Sequence, residues 1–103
     1  MPDRPETVCI CGSMRFAEEM RAVSRSLTLA GVIVLMPGEI DFAITADQKA
    51  ALDELHLRKI DVADRVVVVN RGERFGESTT REIDCARAAG KPVTFVGPAR
   101  AST

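Results

Sequence analysis

"VVVVNRGERFGESTTREIDCARAAGKPVTFV", Val66 to Val96, carries the pattern from which the fold can be read. It opens on four consecutive valines and closes on a second β-rich run, Val93 to Val96 with Phe95. Runs this short, with little polar alternation, suit strands covered on both faces, as in a parallel sheet. Between them, from about Ser78, the residues Glu82, Ile83, Ala86 and Ala89 recur at three- and four-residue spacings and share one stripe of a helix. Gly90 and Pro92 punctuate its exit. Strand, helix and strand in this order predict a parallel pair joined by a right-handed crossover.

The same alternation extends toward the N-terminus. "TVCIC" (Thr7 to Cys11) and "VIVLM" (Val32 to Met36) read as two further strands. Phe16, Met20, Val23 and Leu27 mark one helical stripe, Leu52, Leu55, Lys59 and Ala63 mark another, and Gly31 ends the first helix. The order βαβαβαβ predicts a small doubly wound α/β domain, Rossmann-like or flavodoxin-like. A parallel sheet of about four to five strands would be flanked by helices, in a single domain over residues 1–103. The longest irregular stretch, "PGEIDFAITAD" from Pro37 to Asp47, is long for a connection and is a candidate lid or substrate loop.

A chain of 103 residues exposes a large share of its surface even when folded, so an oligomer would add burial. The composition, 46% hydrophobic and 28% charged with a formal net charge of -1, offers no field for a nucleic-acid duplex or an anionic membrane. A small molecule is the expected ligand. Cys9, Cys11 and Cys85 fit neither a disulfide framework nor metal-ligand spacing and read as reduced core residues. "MPDRPETV" lacks an apolar segment, and the apolar runs elsewhere are strand-length, so a cytoplasmic protein is expected.

In a doubly wound sheet the ligand crevice lies at the carboxyl ends of the strands. "CGSMRF", the Pro37 to Asp47 loop and "NRGERFGESTTRE" all fall there. Gly12 lets backbone approach a ligand, Ser13 can cap a helix or donate a hydroxyl, and Arg15 adds a cationic fork, a set that suits either a phosphate or an ordinary helix start. Thr79-x-x-Glu82 matches a capping box, whereas the helical stripe turns Glu82 inward, toward that crevice. His56, the single histidine, falls on the inward side of its helix, either as a packing residue or as a functional one. Asp53, Glu54, Asp61 and Asp64 read as solvated helix or helix-end residues, and Arg71, Glu73 and Arg74 as a solvated loop.

"CICGSMRF", "LHLRKIDVADRVVVVN" and "GESTTREIDCARAAGKPV" together resemble the nucleoside 2-deoxyribosyltransferase superfamily, over roughly Val8 to Val96. The closest likeness is to its nucleoside 5'-monophosphate N-glycosidase branch, which includes deoxynucleoside 5'-monophosphate and cytidine monophosphate hydrolases. The resemblance implies Glu82 as nucleophile and a 5'-phosphate site at Gly12, Ser13, Met14 and Arg15, with Ser78 as a further donor. Phe16 is implied as a stacking partner for the base, and Phe42 and Phe75 are the other aromatic candidates. The reaction implied is hydrolysis of a nucleoside 5'-monophosphate to free base and (deoxy)ribose 5-phosphate, through a glycosyl-enzyme ester and without metal or cofactor. The chain departs from the deoxynucleotide hydrolases at His56, where they carry an aspartate. His56 is accordingly expected to contact a sugar hydroxyl or to orient Glu82. Relatives are homodimers or larger with shared active sites, a role open here to the tail "GPARAST" through Ser102. The alternatives are a transferase that moves the sugar between bases and a non-catalytic nucleotide-binding module.

Overall fold

The computed structural model describes residues 5–38, 42–70 and 75–97. The strands are β1 (Thr7–Gly12), β2 (Ile33–Leu35), β3 (Arg65–Val69) and β4 (Val93–Val96). The helices are α1 (Ala17–Leu29), preceded by a 3-10 turn (Met14–Phe16), α2 (Ala46–Val62) and α3 (Glu77–Ala88). All three strand pairings are parallel and the order is β2-β1-β3-β4, so the chain steps outward from β1 in both directions, as the doubly wound reading predicts.

Alternation along β1 divides the core into two layers. Cys9 and Cys11 turn toward one side, where they pack with Val66 and Val68 of β3, Ile60 and Ala63 at the end of α2, and Ile83 and Ala86 of α3. Ile10 turns to the other side and joins Val69, Phe16 and Met20 beneath α1. Helices therefore cover both faces of the inner strands. The edges are different: Ile33 of β2 is 47% exposed and Phe95 of β4 is 46% exposed. The expectation of strands covered on both faces holds for β1 and β3 alone, because α1 on one side and the α2–α3 pair on the other reach mainly the centre of the sheet.

Two helices differ in detail from their sequence reading. In α2 the buried residues are His56 and Ile60, while Leu55 is 50% exposed. His56 and Ala63 are buried as expected, but the buried stripe through His56 and Ile60 is turned by about one residue, roughly 100° of helix, from Leu55. The helix follows the contact it makes with Cys9 and Cys11, and the scattered leucines of α2 do not set its rotation. In α3 the N-cap is Gly76, and no side chain caps the first turn. Thr79 and Glu82 are therefore both inside the helix, which removes the capping-box reading, and Thr79 is buried beside Ile83 and Ala86. A reciprocal capping box does exist at the start of α2: the Thr45 hydroxyl accepts from the Gln48 N–H at 3.0 Å, and the Gln48 Oε1 accepts from the Thr45 N–H at 2.9 Å.

At the carboxyl end of β1 the chain must leave a crowded position. Gly12 has φ +152°, and a Cβ there would stand 2.6 Å from the Val69 carbonyl oxygen on β3. Glycine alone permits β1 and β3 to end side by side and to open the crevice between them. Among the described residues no helix is long and apolar enough to cross a membrane.

Candidate active site

A cleft of about 570 Å³ lies at those strand ends, within the range of small-molecule sites. The turn after β1 supplies one wall through Gly12, Ser13 and Arg15, and the first residues of α3, Gly76 to Thr79, supply the opposite one. The connection between β2 and α2 contributes Pro37, Gly38 and Ile44; its residues 39–41 lie outside the described residues. The inner face of α2 adds Lys49, Asp53 and His56, and Glu82 of α3 reaches in from below. The three stretches singled out in the sequence do converge.

Glu82 and His56 are the buried polar pair of this cleft. Their side chains are 12% and 5% exposed, and Glu82 Oε1 stands 3.8 Å from His56 Nε2, within ion-pair reach but too long for a hydrogen bond. Burial pushes the Glu82 carboxyl above its ordinary range, and the pull of His56 and of a hydrogen bond from the Cys11 thiol does not cancel that push. For His56, burial acts downward, but the Cys9 sulfur and the Glu82 carboxylate outweigh it and hold the imidazole above its usual value. His56 Nε2 also lies 3.4 Å from Cys11 Sγ and 3.8 Å from Cys9 Sγ, while its Nδ1 is buried with no hydrogen-bond partner among the described residues.

The two thiols share the hydrogen-bonding environment unequally. Cys9 is pulled down to about 6, chiefly by the hydrogen bond from Cys11 and, against burial, by His56. Cys11 is pushed up by its interaction with Cys9 and by burial. Both cysteines are reduced and fully buried, as their core reading expects, yet the ligand atoms of Cys9, Cys11 and His56 all lie within 4.8 Å of one another. This is a nitrogen and sulfur donor set.

The other expected residues sit around the rim. Ser13 caps the 3-10 turn, its hydroxyl accepting from the Arg15 N–H at 3.3 Å, and Met14 is 43% exposed beside it. The Arg15 guanidinium lies 5.2 Å from the centroid of the Phe16 ring. Phe16 itself is only 5% exposed and belongs to the core beneath α1, so little of its ring faces the cleft. Ser78 is exposed in the first turn of α3. Phe75, 39% exposed on the cleft rim and 5.7 Å from Phe95 between ring centroids, is the aromatic surface the cleft presents. Phe42 is exposed and takes no part in the lining. Ser102, Arg71, Glu73 and Arg74 lie outside the described residues.

Two cleft features escaped the sequence reading. Lys49 and Asp53 form an ion pair at 3.0 Å on the wall, where Asp53 had read as a solvated helix residue. Lys49, Asp53, His56 and Ile60 follow the i, i+4, i+7, i+11 spacing, so the signal was present but mixed polar and apolar residues on one stripe. Cys11, the last buried side chain of β1 before Gly12, was read as core and also stands 3.4 Å from His56 Nε2 beneath the cleft.

The sequence matches no protein-family model and no curated protein. Among solved structures, a 2-deoxyribosyltransferase from Bacillus psychrosaccharolyticus superposes with a TM-score of 0.75 at 16% identity, over 94% of this chain and 77% of that one. A 2-deoxyribosyltransferase from Leishmania mexicana gives 0.71 at 20% identity, over 90% of this chain and 65% of that one. A conserved protein from Enterococcus faecalis gives 0.65 at 17% identity, over 88% and 62%. The chain thus spans about two thirds of the length of the latter two. At such identities the likeness is one of architecture, and the chain has the α/β fold seen in the 2-deoxyribosyltransferases.

Proposed function

We propose that the protein hydrolyses the N-glycosidic bond of a nucleoside 5'-monophosphate, with Glu82 as nucleophile. The observation that carries this reading is the placement of Glu82, a carboxylate sunk in the inward stripe of α3 at the base of the cleft. Burying an ionisable group is unfavourable, and the sites that retain one are enriched in chemistry. The Glu82 carboxylate attacks C1', the C1'–N bond breaks, and the base leaves with the bonding pair and takes up a proton. Water then attacks C1' of the glycosyl ester, releasing the sugar 5-phosphate and restoring Glu82.

Glu82 must be ionised to attack. The burial that raises its affinity for protons also makes its carboxylate more basic and leaves it less solvated once ionised. His56, 3.8 Å away, orients it and favours its charged form. The turn from Gly12 to Arg15 faces the opening turn of α3, whose amides lack a side-chain cap. In this reading the 5'-phosphate lies between them, with Ser13, Arg15 and Ser78 as donors, and the base lies toward Phe75. The working protein is a homodimer or larger, cytoplasmic, whose neighbouring subunit completes the site.

A second reading is favoured by the two solved neighbours described as 2-deoxyribosyltransferases: a base in place of water takes the sugar from Glu82. One experiment separates the two. Ribo- and deoxyribonucleoside 5'-monophosphates and the matching nucleosides are incubated with the protein, with and without an acceptor base, and products are resolved by chromatography. Free base from monophosphates alone, lost in Glu82→Gln, is the expected result. A new nucleoside formed only with the acceptor would establish the transferase. No release from any substrate would refute both.

A further inference from the structure

We infer that Cys9, Cys11 and His56, closed by Glu82, form a binding site for a zinc-class divalent metal ion, and that its occupancy withdraws Glu82 from hydrolysis. The second half rests on the function proposed above; the first does not.

The donors come from three elements and meet at one point. Cys9 and Cys11 alternate onto the same face of β1, His56 descends on them from α2, and Glu82 approaches from α3. In a tetrahedral zinc site with Zn–S of about 2.3 Å and Zn–N or Zn–O of about 2.0 Å, a sulfur and a nitrogen stand roughly 3.5 Å apart and a nitrogen and an oxygen roughly 3.3 Å. Here His56 Nε2 lies 3.4 Å from Cys11 Sγ, 3.8 Å from Cys9 Sγ and 3.8 Å from Glu82 Oε1. The two sulfur edges that meet at the imidazole are thus within about 0.3 Å of those of a tetrahedral site, and the three atoms of Cys9, Cys11 and His56 lie within 4.8 Å of one another; Glu82 stands just outside that cluster and closes it by moving inward on the ion.

The His56 ring supplies an independent observation. It is 4% exposed as a residue, and its Nδ1 finds no partner among the described residues, while Nε2 is turned into the sulfur and carboxylate cluster. In that orientation Nε2 meets the Cys11 sulfur at 3.4 Å, a weak contact that a coordinate bond to an ion would replace. The donor set, two sulfurs with an imidazole and a carboxylate, suits zinc and disfavours magnesium or calcium. Binding forms two metal–sulfur bonds, one metal–nitrogen and one metal–oxygen bond, and expels the remaining thiol protons to solvent, with no change of oxidation state. The ion enters from the cleft, which His56 and Glu82 line.

Cobalt(II) reports such a site without any substrate. Reduced, chelator-stripped full-length protein titrated with cobalt should develop a thiolate-to-metal charge-transfer band and the visible bands of four-coordinate cobalt, saturating at one ion per chain and bleached by equimolar zinc. The Cys9→Ser/Cys11→Ser variant should lose the charge-transfer band. His56→Gln, which keeps both sulfurs and guards against a double variant that does not fold, should weaken cobalt binding at least tenfold. Absence of the charge-transfer band in the wild type, or a band unchanged in His56→Gln, overturns the site. Where base release is observed, one equivalent of zinc should suppress it at least tenfold and a chelator should restore it; release unaffected at saturating zinc overturns the closure by Glu82. Cobalt bands without base release from any nucleotide would refute the proposed hydrolysis while sustaining the metal site.

Discussion

Replacing Glu82 by Gln keeps the shape of the side chain and removes its charge, and the structure gives this change opposite effects on activity and stability. The Glu82 side chain is 12% exposed, and burial raises its proton affinity in the folded state despite the nearby His56. A carboxyl bound more tightly to its proton when folded than when unfolded makes stability fall as pH rises from the unfolded value through the folded one. At neutral pH and above, the wild type therefore carries the whole of this destabilisation, and Gln carries none. A gain of about 1 kcal/mol at pH 8 is expected, typical of relieving one unfavourable site, which for a domain of this size corresponds to about 4–8 °C in Tm. The gain should shrink toward zero as pH falls below the unfolded carboxyl range, about 4.3. Base release should fall at least about 10³-fold, a loss of roughly 4 kcal/mol of transition-state stabilisation. Thermal unfolding followed by circular dichroism between pH 4 and pH 8, beside chromatographic assay of free base, measures both. A Gln variant that is less stable at pH 8, or whose Tm difference from wild type is the same at every pH, would refute the account of Glu82 as a buried, strained carboxylate.

Other changes probe the scaffold and the chemistry. Gly12→Ala would force a Cβ to 2.6 Å from the Val69 carbonyl at φ +152°, and should lower stability by about 1–3 kcal/mol or more, seen as a lower denaturant midpoint. Ile60→Ala, at a fully buried position, should destabilise by about 2–5 kcal/mol, whereas Leu55→Ala on the exposed side of α2 should stay within about 0.5 kcal/mol; equal effects would mean that α2 is rotated the other way. Thr45→Ala removes the hydroxyl half of the α2 capping box and should lower stability by about 1 kcal/mol, readable in Tm. Base release should decline on the acid side as Glu82 takes up its proton, at a pH above the ordinary carboxyl range; a profile flat down to about pH 4 would contradict a buried nucleophile.

The element order and the location of the cleft were legible in the valine runs and in the helical stripe of α3. Glu82 was legible for the same reason: standing next to Ile83 and four residues before Ala86, it falls on the buried stripe before any contact is known. Ala89, the last member of that stripe, is the C-cap and exposed, because periodicity does not mark where a helix stops. The α2 stripe was misplaced because its cleft-facing side carries Lys49, Asp53 and His56, which a search for apolar periodicity passes over.

Local pattern determined which residues form strands and helices, that β1 and β3 are buried on both faces, and which face of α3 is buried, since alternation and a period of about 3.6 residues are properties of neighbouring positions alone. Tertiary structure decided who meets whom. Cys9 and Cys11 come to His56 across 47 and 45 residues of chain, and Glu82 arrives from a third element to stand 3.8 Å from the same ring nitrogen. That encounter depends on the rotation of α2 against the sheet, a balance of packing contacts among distant segments. Neither the C-x-C spacing nor the single histidine encodes it, and so the buried cluster under the cleft could be read only from the fold.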